Sequence, residues 1–200
     1  MNRIYVLLVL FAAAIAVPFA AADTIQLSNN NLGIAGSIGT VTLTQQTGGV
    51  AVTLTANAGY SFKLNGGDIL FDTNASLNAG SISQLLIDGK YTSNFKFLSG
   101  VTRAGTSFSY DIANLMKGTL PHGYVSAGTI SFFVSGVTLK QLETGNFGVH
   151  FCVGGGTSCG TGKTGFATGG SSAVPEPGTL SLLTTGIVGL ANFMRKRLFA

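Results

Sequence analysis

Residues 40–54 read T-V-T-L-T-Q-Q-T-G-G-V-A-V-T-L, and their alternation decides the fold class. Val41 and Leu43 alternate with Thr40, Thr42 and Thr44; after Gln46-Thr47-Gly48-Gly49 the pattern resumes at Val50, Val52 and Leu54. Successive side chains of a strand point to opposite faces, so a period of two rich in β-branched residues predicts two half-buried strands. The glycine pair between them supplies the turn of a β-hairpin.

Working outward, the same reading predicts strands at Tyr60–Leu64, Asp68–Asp72, Asn94–Leu98, Ser107–Ala113, Thr129–Ser135 and Asn146–Val153, punctuated by Gly, Asn and Ser clusters. Ser81–Ile87 and Ile112–Lys117 are expected to be short helices, the second capped by Asp111. Many short strands at this spacing predict an all-β fold, an antiparallel β-sandwich over residues 23–168, with a jelly roll as one variant.

Both ends differ in kind from this middle. Asn2-Arg3 is a short positive region, Ile4–Val17 an uncharged apolar run, and Pro18 precedes Ala20-Ala21-Ala22. That order describes a secretory signal peptide over residues 1–22, with Ala20 and Ala22 as the small residues a signal peptidase reads. At the other end, residues 169–173 (Gly169-Gly170-Ser171-Ser172-Ala173) have linker composition. Pro175-Glu176-Pro177 is expected to be extended, because each proline fixes its own φ and restricts the residue before it. Gly178–Met194 carries no charge over 17 residues and ends at Arg195-Lys196-Arg197. Such a segment is marginally long enough to span a bilayer, with its basic end on the cytoplasmic side.

Pro175-Glu176-Pro177, the apolar helix and the terminal basic cluster, in that order over residues 174–200, resemble the PEP-CTERM sorting signal. The resemblance implies a bacterial protein held briefly in the inner membrane by this helix. It also implies cutting near the motif by an exosortase, a membrane cysteine peptidase, and delivery to the cell surface or to an exopolysaccharide-rich extracellular matrix. It says nothing of the domain between the two ends.

Composition narrows what that domain does. The chain has 11 Lys and Arg against 7 Asp and Glu. Four of the basic residues (Arg3, Arg195, Lys196 and Arg197) lie in the terminal signals. Between Asp23 and Ala173 stand seven basic and six acidic residues, with no basic stripe of the kind that neutralises phosphates. A nucleic-acid partner is therefore not expected. Charge is sparse and glycine abundant, so solubility rests on hydroxyls and amides.

Candidate chemistry is thin. Cys152 and Cys159 are the only cysteines, and an even count in an exported chain predicts a disulfide. The loop it closes is short, so its stabilisation is on the order of 2 kcal/mol in the chain-entropy description. Gly160-Thr161-Gly162-Lys163-Thr164 lacks the upstream glycine of a phosphate-binding loop, because Thr157 stands there. His150 shares a strand with Phe147, Val149, Phe151 and Val153 but points, with Cys152, to the opposite, solvent-facing side; His122 reads as a turn residue. Asp68 and Asp72, with Asn74 nearby, lack the ligand spacing of a calcium loop. Pairings of Asp72 with Asp88, Asp111 or Glu143 arise easily by chance among so few carboxylates.

No catalytic, cofactor or metal site is expected. The leading expectation is a structural or adhesive surface protein. A lectin-like sandwich using Tyr60, Tyr91, Tyr110 or Tyr124, and more remotely a secreted hydrolase, are the alternatives.

Overall fold

In the computed structural model, the described residues are 22–64, 68–93, 95–113, 126–154, 159 and 162–170. They form two antiparallel sheets. The first, of six strands, has the order β1 (Ala22–Gln26), β3 (Gly39–Gln46), β4 (Gly49–Ala56), β12 (Thr129–Ser135), β7 (Ile82–Ile87) and β8 (Lys90–Tyr91). The second, of eight, runs β11 (Ser126–Ala127), β5 (Tyr60–Lys63), β13 (Asn146–Val153), β6 (Asp68–Phe71), β10 (Thr106–Ala113) and β9 (Lys96–Arg103). β14 (Thr164–Gly170) lines the other edge of β13, and β2 (Asn29–Asn30) pairs with β14. One short helix, α1 (Leu139–Glu143), buries Leu142.

The hairpin of residues 40–54 is β3–β4, with Val41 opposite Leu54 and Leu43 opposite Val52. Those pairs continue onto β12, where Leu54 meets Ile130 and Val52 meets Phe132. All six are buried. The alternate row, Thr24–Thr42–Thr53–Ser131, lies on the other face. The second sheet contributes Phe62, Ile69, Phe71, Ile112, Phe147, Val149 and Phe151 to the same core cluster, so the two sheets share one apolar interior. Burying each such side chain contributes about 1.5–3 kcal/mol. That interior is what makes the chain an antiparallel sandwich.

One expected helix is corrected, and a second in its first two residues. Residues 82–87 form β7, where Ile82, Leu85 and Ile87 are buried. A bulge opposite β12 between Ser131 and Phe133, with Gln84 at φ 52°, inserts a residue into the alternation. The apolar spacing becomes three and then two, which imitates a helical period. Ile112 and Ala113 end β10; residues 114–117 lie outside the described residues.

Gly169 and Gly170, which composition assigns to a linker, are instead the last residues of β14. Glycine stands at 169 because a Cβ there would overlap the Gln26 carbonyl of β1. The signal segment up to residue 21 and residues 171–200 lie outside the described residues. Among the described residues no helix is long and apolar enough to cross a membrane.

Candidate functional site

The eight-stranded sheet buries residues on both faces. Ile69 and Phe71 of β6 enter the main core, whereas Leu70 between them joins Val101, Phe108 and Phe166 in a second apolar cluster on the outer face. Asp111 of β10 pairs with Leu70, and Leu70 with Gly148 of β13, so all three lie side by side on that face. Phe108 also points there, although it lies three residues from Asp111. The β9–β10 pairing lapses at Ser109 and Gly100, where Gly100 has φ 64°, and the alternation restarts on the opposite phase.

Beyond this lapse the hairpin outruns β6, which pairs with Tyr110–Ala113 alone. Its far end folds over the outer face. The Phe108 and Phe166 rings meet edge to face at 6.1 Å, above Gly148. A Cβ on Gly148 would lie 2.7 Å from the Cζ atoms of both rings. Gly148→Ala is therefore expected to lift this cover and to destabilise the protein by about 1–3 kcal/mol, the usual range for overpacking. Chemical denaturation checks it; a silent substitution would mean that the hairpin does not rest on β13.

Under the cover sits a charge cluster. Continuing the β6–β13 register by one residue brings His150 beside Asp68. Arg103, at the hairpin end, donates from Nε to Asp68 Oδ2 at 2.8 Å, and its Nη2 lies 3.6 Å from Asp111 Oδ2. His150 Nδ1 lies 3.3 Å from Asp68 Oδ2, within ion-pair range once the ring is protonated, but poorly directed for a hydrogen bond. The His150 ring also packs edge-on to Phe166, 5.4 Å between centroids. The Asp111 side chain is 0% exposed, and neither of its oxygens accepts a hydrogen bond.

Two carboxylates so close are driven apart in their proton affinity. Burial, assisted by the nearby Asp68 charge, pushes Asp111 up to about 7. Burial alone would raise Asp68 too, but the contacts from His150 and Arg103 outweigh it and hold Asp68 below the usual carboxylate range. Asp68 in turn raises the Arg103 guanidinium. Below neutral pH the arrangement is thus the Arg103 cation shared unequally by an ionised Asp68 and a protonated Asp111.

Sequence reasoning missed this cluster. It placed His150 in solvent, whereas the ring is 28% exposed and wedged between Asp68 and Phe166; its strand partner Cys152 is fully buried. It read Asp111 as a helix cap. The one available signal was an aspartate inside the apolar run Tyr110-Asp111-Ile112-Ala113.

The other expected residues are dispersed. Asp72 accepts from Ser109 N and Oγ and from Asn146 Nδ2, and Asp88 Oδ1 accepts from Gly128 N and Thr129 N; both brace loops. Glu143 ends α1. Among the described residues no group of three or more His, Cys, Asp or Glu could hold a metal ion. Tyr110 donates to the Ala75 carbonyl and packs on the core with Tyr60, which leaves Tyr91 as the one exposed tyrosine among the described residues. Tyr124 and His122 lie outside them. Cys152 and Cys159 are bonded, with Cα atoms 5.3 Å apart.

A β-sandwich followed by a C-terminal sorting segment defines a class, that of exported surface proteins. Within it, residues 173–197 match the PEP-CTERM protein-sorting motif, which marks the chain for exosortase processing and for the cell surface or beyond. The match contains Pro175, Glu176, Pro177, Arg195, Lys196 and Arg197. No curated protein and no solved structure matches the chain.

Proposed function

We propose that this protein is a non-enzymatic structural or adhesive component of the bacterial cell surface or extracellular matrix, associated with exopolysaccharide. The observation that carries the reading is the sorting motif at residues 173–197 behind a sandwich of low charge. A signal peptidase removes residues 1–22, which leaves Asp23–Gln26 to serve as the edge strand against β3. The apolar segment Gly178–Met194 then holds the chain in the inner membrane, with Arg195–Arg197 inside, until an exosortase cuts near Pro175–Pro177.

A scaffold role is supported by Asp72 and Asp88, which brace loops, and by Asp68 and Asp111, which are buried beside the hairpin end. Of the described tyrosines only Tyr91 is exposed, and a single ring does not make a stacking platform of the kind that grips sugar rings.

Deleting Pro175–Pro177 is expected to leave the full-length form in the membrane fraction and to abolish surface delivery. Intact-mass measurement of the natively exported wild type is expected to show both termini trimmed and the Cys152–Cys159 bond formed. Unchanged mobility and delivery of the deletion variant would sink the sorting route. Failure of the delivered protein to co-fractionate with the host's exopolysaccharide would sink the matrix role separately.

A further inference from the structure

We propose that the outer face of the six-stranded sheet binds an uncharged polysaccharide chain, which lies across the strands along rows of threonine hydroxyls. The matrix role proposed above is the basis of this assignment, and the sheet supplies its contact surface. Register builds the rows. Thr24, Thr42, Thr53 and Ser131 stand side by side, and the same row runs on through Leu86 to Tyr91. Along one flank lies the row Gln26–Thr40–Thr55–Thr129, and along the other Thr44, Ala51 and Phe133. All of these side chains are exposed or half-buried, because their strand neighbours Val41, Leu43, Val52, Leu54, Ile130 and Phe132 fill the core.

The chemistry of the face selects its partner. None of these rows carries an Asp, Glu, Lys or Arg, so the face offers a phosphate or a polyanion no counter-charge. A neutral chain can cover it without taking an ion out of water. Each threonine presents one O–H donor, two acceptor lone pairs and a methyl group. A sugar ring presents the same mixture, with hydroxyls at its rim and C–H groups on its faces. Among the described residues, the Thr40, Thr42, Thr53 and Thr55 hydroxyls form no hydrogen bond within the protein, which leaves them for a ligand. Neighbouring strands lie about 4.8 Å apart, a step close to the advance of one ring along an extended glycan, so successive rings meet successive hydroxyls. The sheet also twists by about 20–25° from strand to strand. A flexible chain follows that twist, whereas a flat, rigid partner would touch only part of a row. Tyr91, 65% exposed at the end of the central row, offers a ring to a sugar C–H face. The hydroxyl rows, rather than stacked rings, make most of the contact.

Retardation of the natively exported protein in native gels cast with a neutral glycan tests this. Hydroxyethylcellulose, dextran and galactomannan are the probes, and alginate is the charged control. At least one neutral probe is expected to retard the wild type, undiminished by salt that screens ion pairs, while alginate does not. The double variant Thr42→Lys, Thr53→Lys is expected to bind about tenfold more weakly or worse, because the chain would have to bury unpaired ammonium groups. Tyr91→Ala is expected to weaken binding about threefold. Thr102→Lys, at an exposed position of β9 in the other sheet, is expected to change nothing. Matching urea midpoints establish that the variants are folded, and Tyr91→Ala decides if the lysine pair does not fold. Absence of retardation by every neutral probe would overturn the proposal, as would retardation that the face variants leave intact. So would self-association of the wild type that the lysine pair abolishes, since the face would then belong to a second copy. Co-fractionation with the host's exopolysaccharide is read separately. If the lysine pair retains it in full, the face is wrong and the matrix role stands; if the wild type lacks it yet binds a neutral probe, the matrix role falls and the face stands.

Discussion

Raising the pH from 5 to 8 is expected to strip the folded protein of about 3 kcal/mol, the larger part of the stabilisation that Asp111 supplies in its protonated form. The sign follows from the direction of the shift. Asp111 is raised from 3.8 to about 7 in the folded state, so the fold binds this proton more tightly than the unfolded chain does. The resulting stabilisation is complete below about pH 4, falls steadily as the pH rises from there, and is gone above about 7. Three pKa units at about 1.4 kcal/mol each give the whole contribution, and the two that lie above pH 5 give the part lost in this window. Asp68 works in the opposite sense and in another window. Its folded value lies below 3.8, so its contribution is intact above that pH and disappears only under stronger acid. Asp111→Asn removes the loss between pH 5 and 8, although its unpaired amide carries a pH-independent penalty of about 1–3 kcal/mol. Urea denaturation of wild type and variant at pH 5, 6, 7 and 8 is the measurement. Parallel curves would show that the carboxyl is hydrated and that its burial has no energetic meaning.

The difference between what could and could not be read from the chain has a physical basis. Strands whose two faces differ in polarity advertise themselves, which is why Thr129–Ser135 and Asn146–Val153 were legible to the residue as β12 and β13. A strand with a bulge does not, because the inserted residue breaks the period; β7 therefore looked helical. β14 was hidden for a different reason. Its glycines let β1 and the aromatic rings approach closely, and glycine in a sequence looks like linker. The charge cluster was the least legible feature of all. Asp68, Arg103, Asp111 and His150 stand on four strands, and only the register of β6 against both β10 and β13 brings them together. Local pattern carries no information about that register. The sorting motif is the opposite case, a linear signal read by a membrane peptidase, and it was legible without any fold.

Phe71→Ala is expected to be among the most damaging single substitutions in the sandwich, at about 3–5 kcal/mol. Phe71 is 0% exposed, and its ring lies within 6.2 Å of three others: Tyr110, Phe132 and Phe147. Phe132 belongs to the six-stranded sheet and the remaining two to the eight-stranded one, so this ring ties the layers together. The backbone on either side of it is fixed by pairing with Tyr110 and Phe147, which prevents the neighbours from collapsing into the space left behind. A cavity that cannot collapse is the expensive kind. Small domains have only about 5–15 kcal/mol in total, so the variant should unfold at much lower urea, with an unchanged slope. The loss should not depend on pH, since the ring lies on the core side of β6 and the titrating acids on the other. A Phe71→Ala loss that grew between pH 5 and 8 would mean that the two faces of this sheet do not act independently, and the assignment of the pH response to the outer face would fail with it.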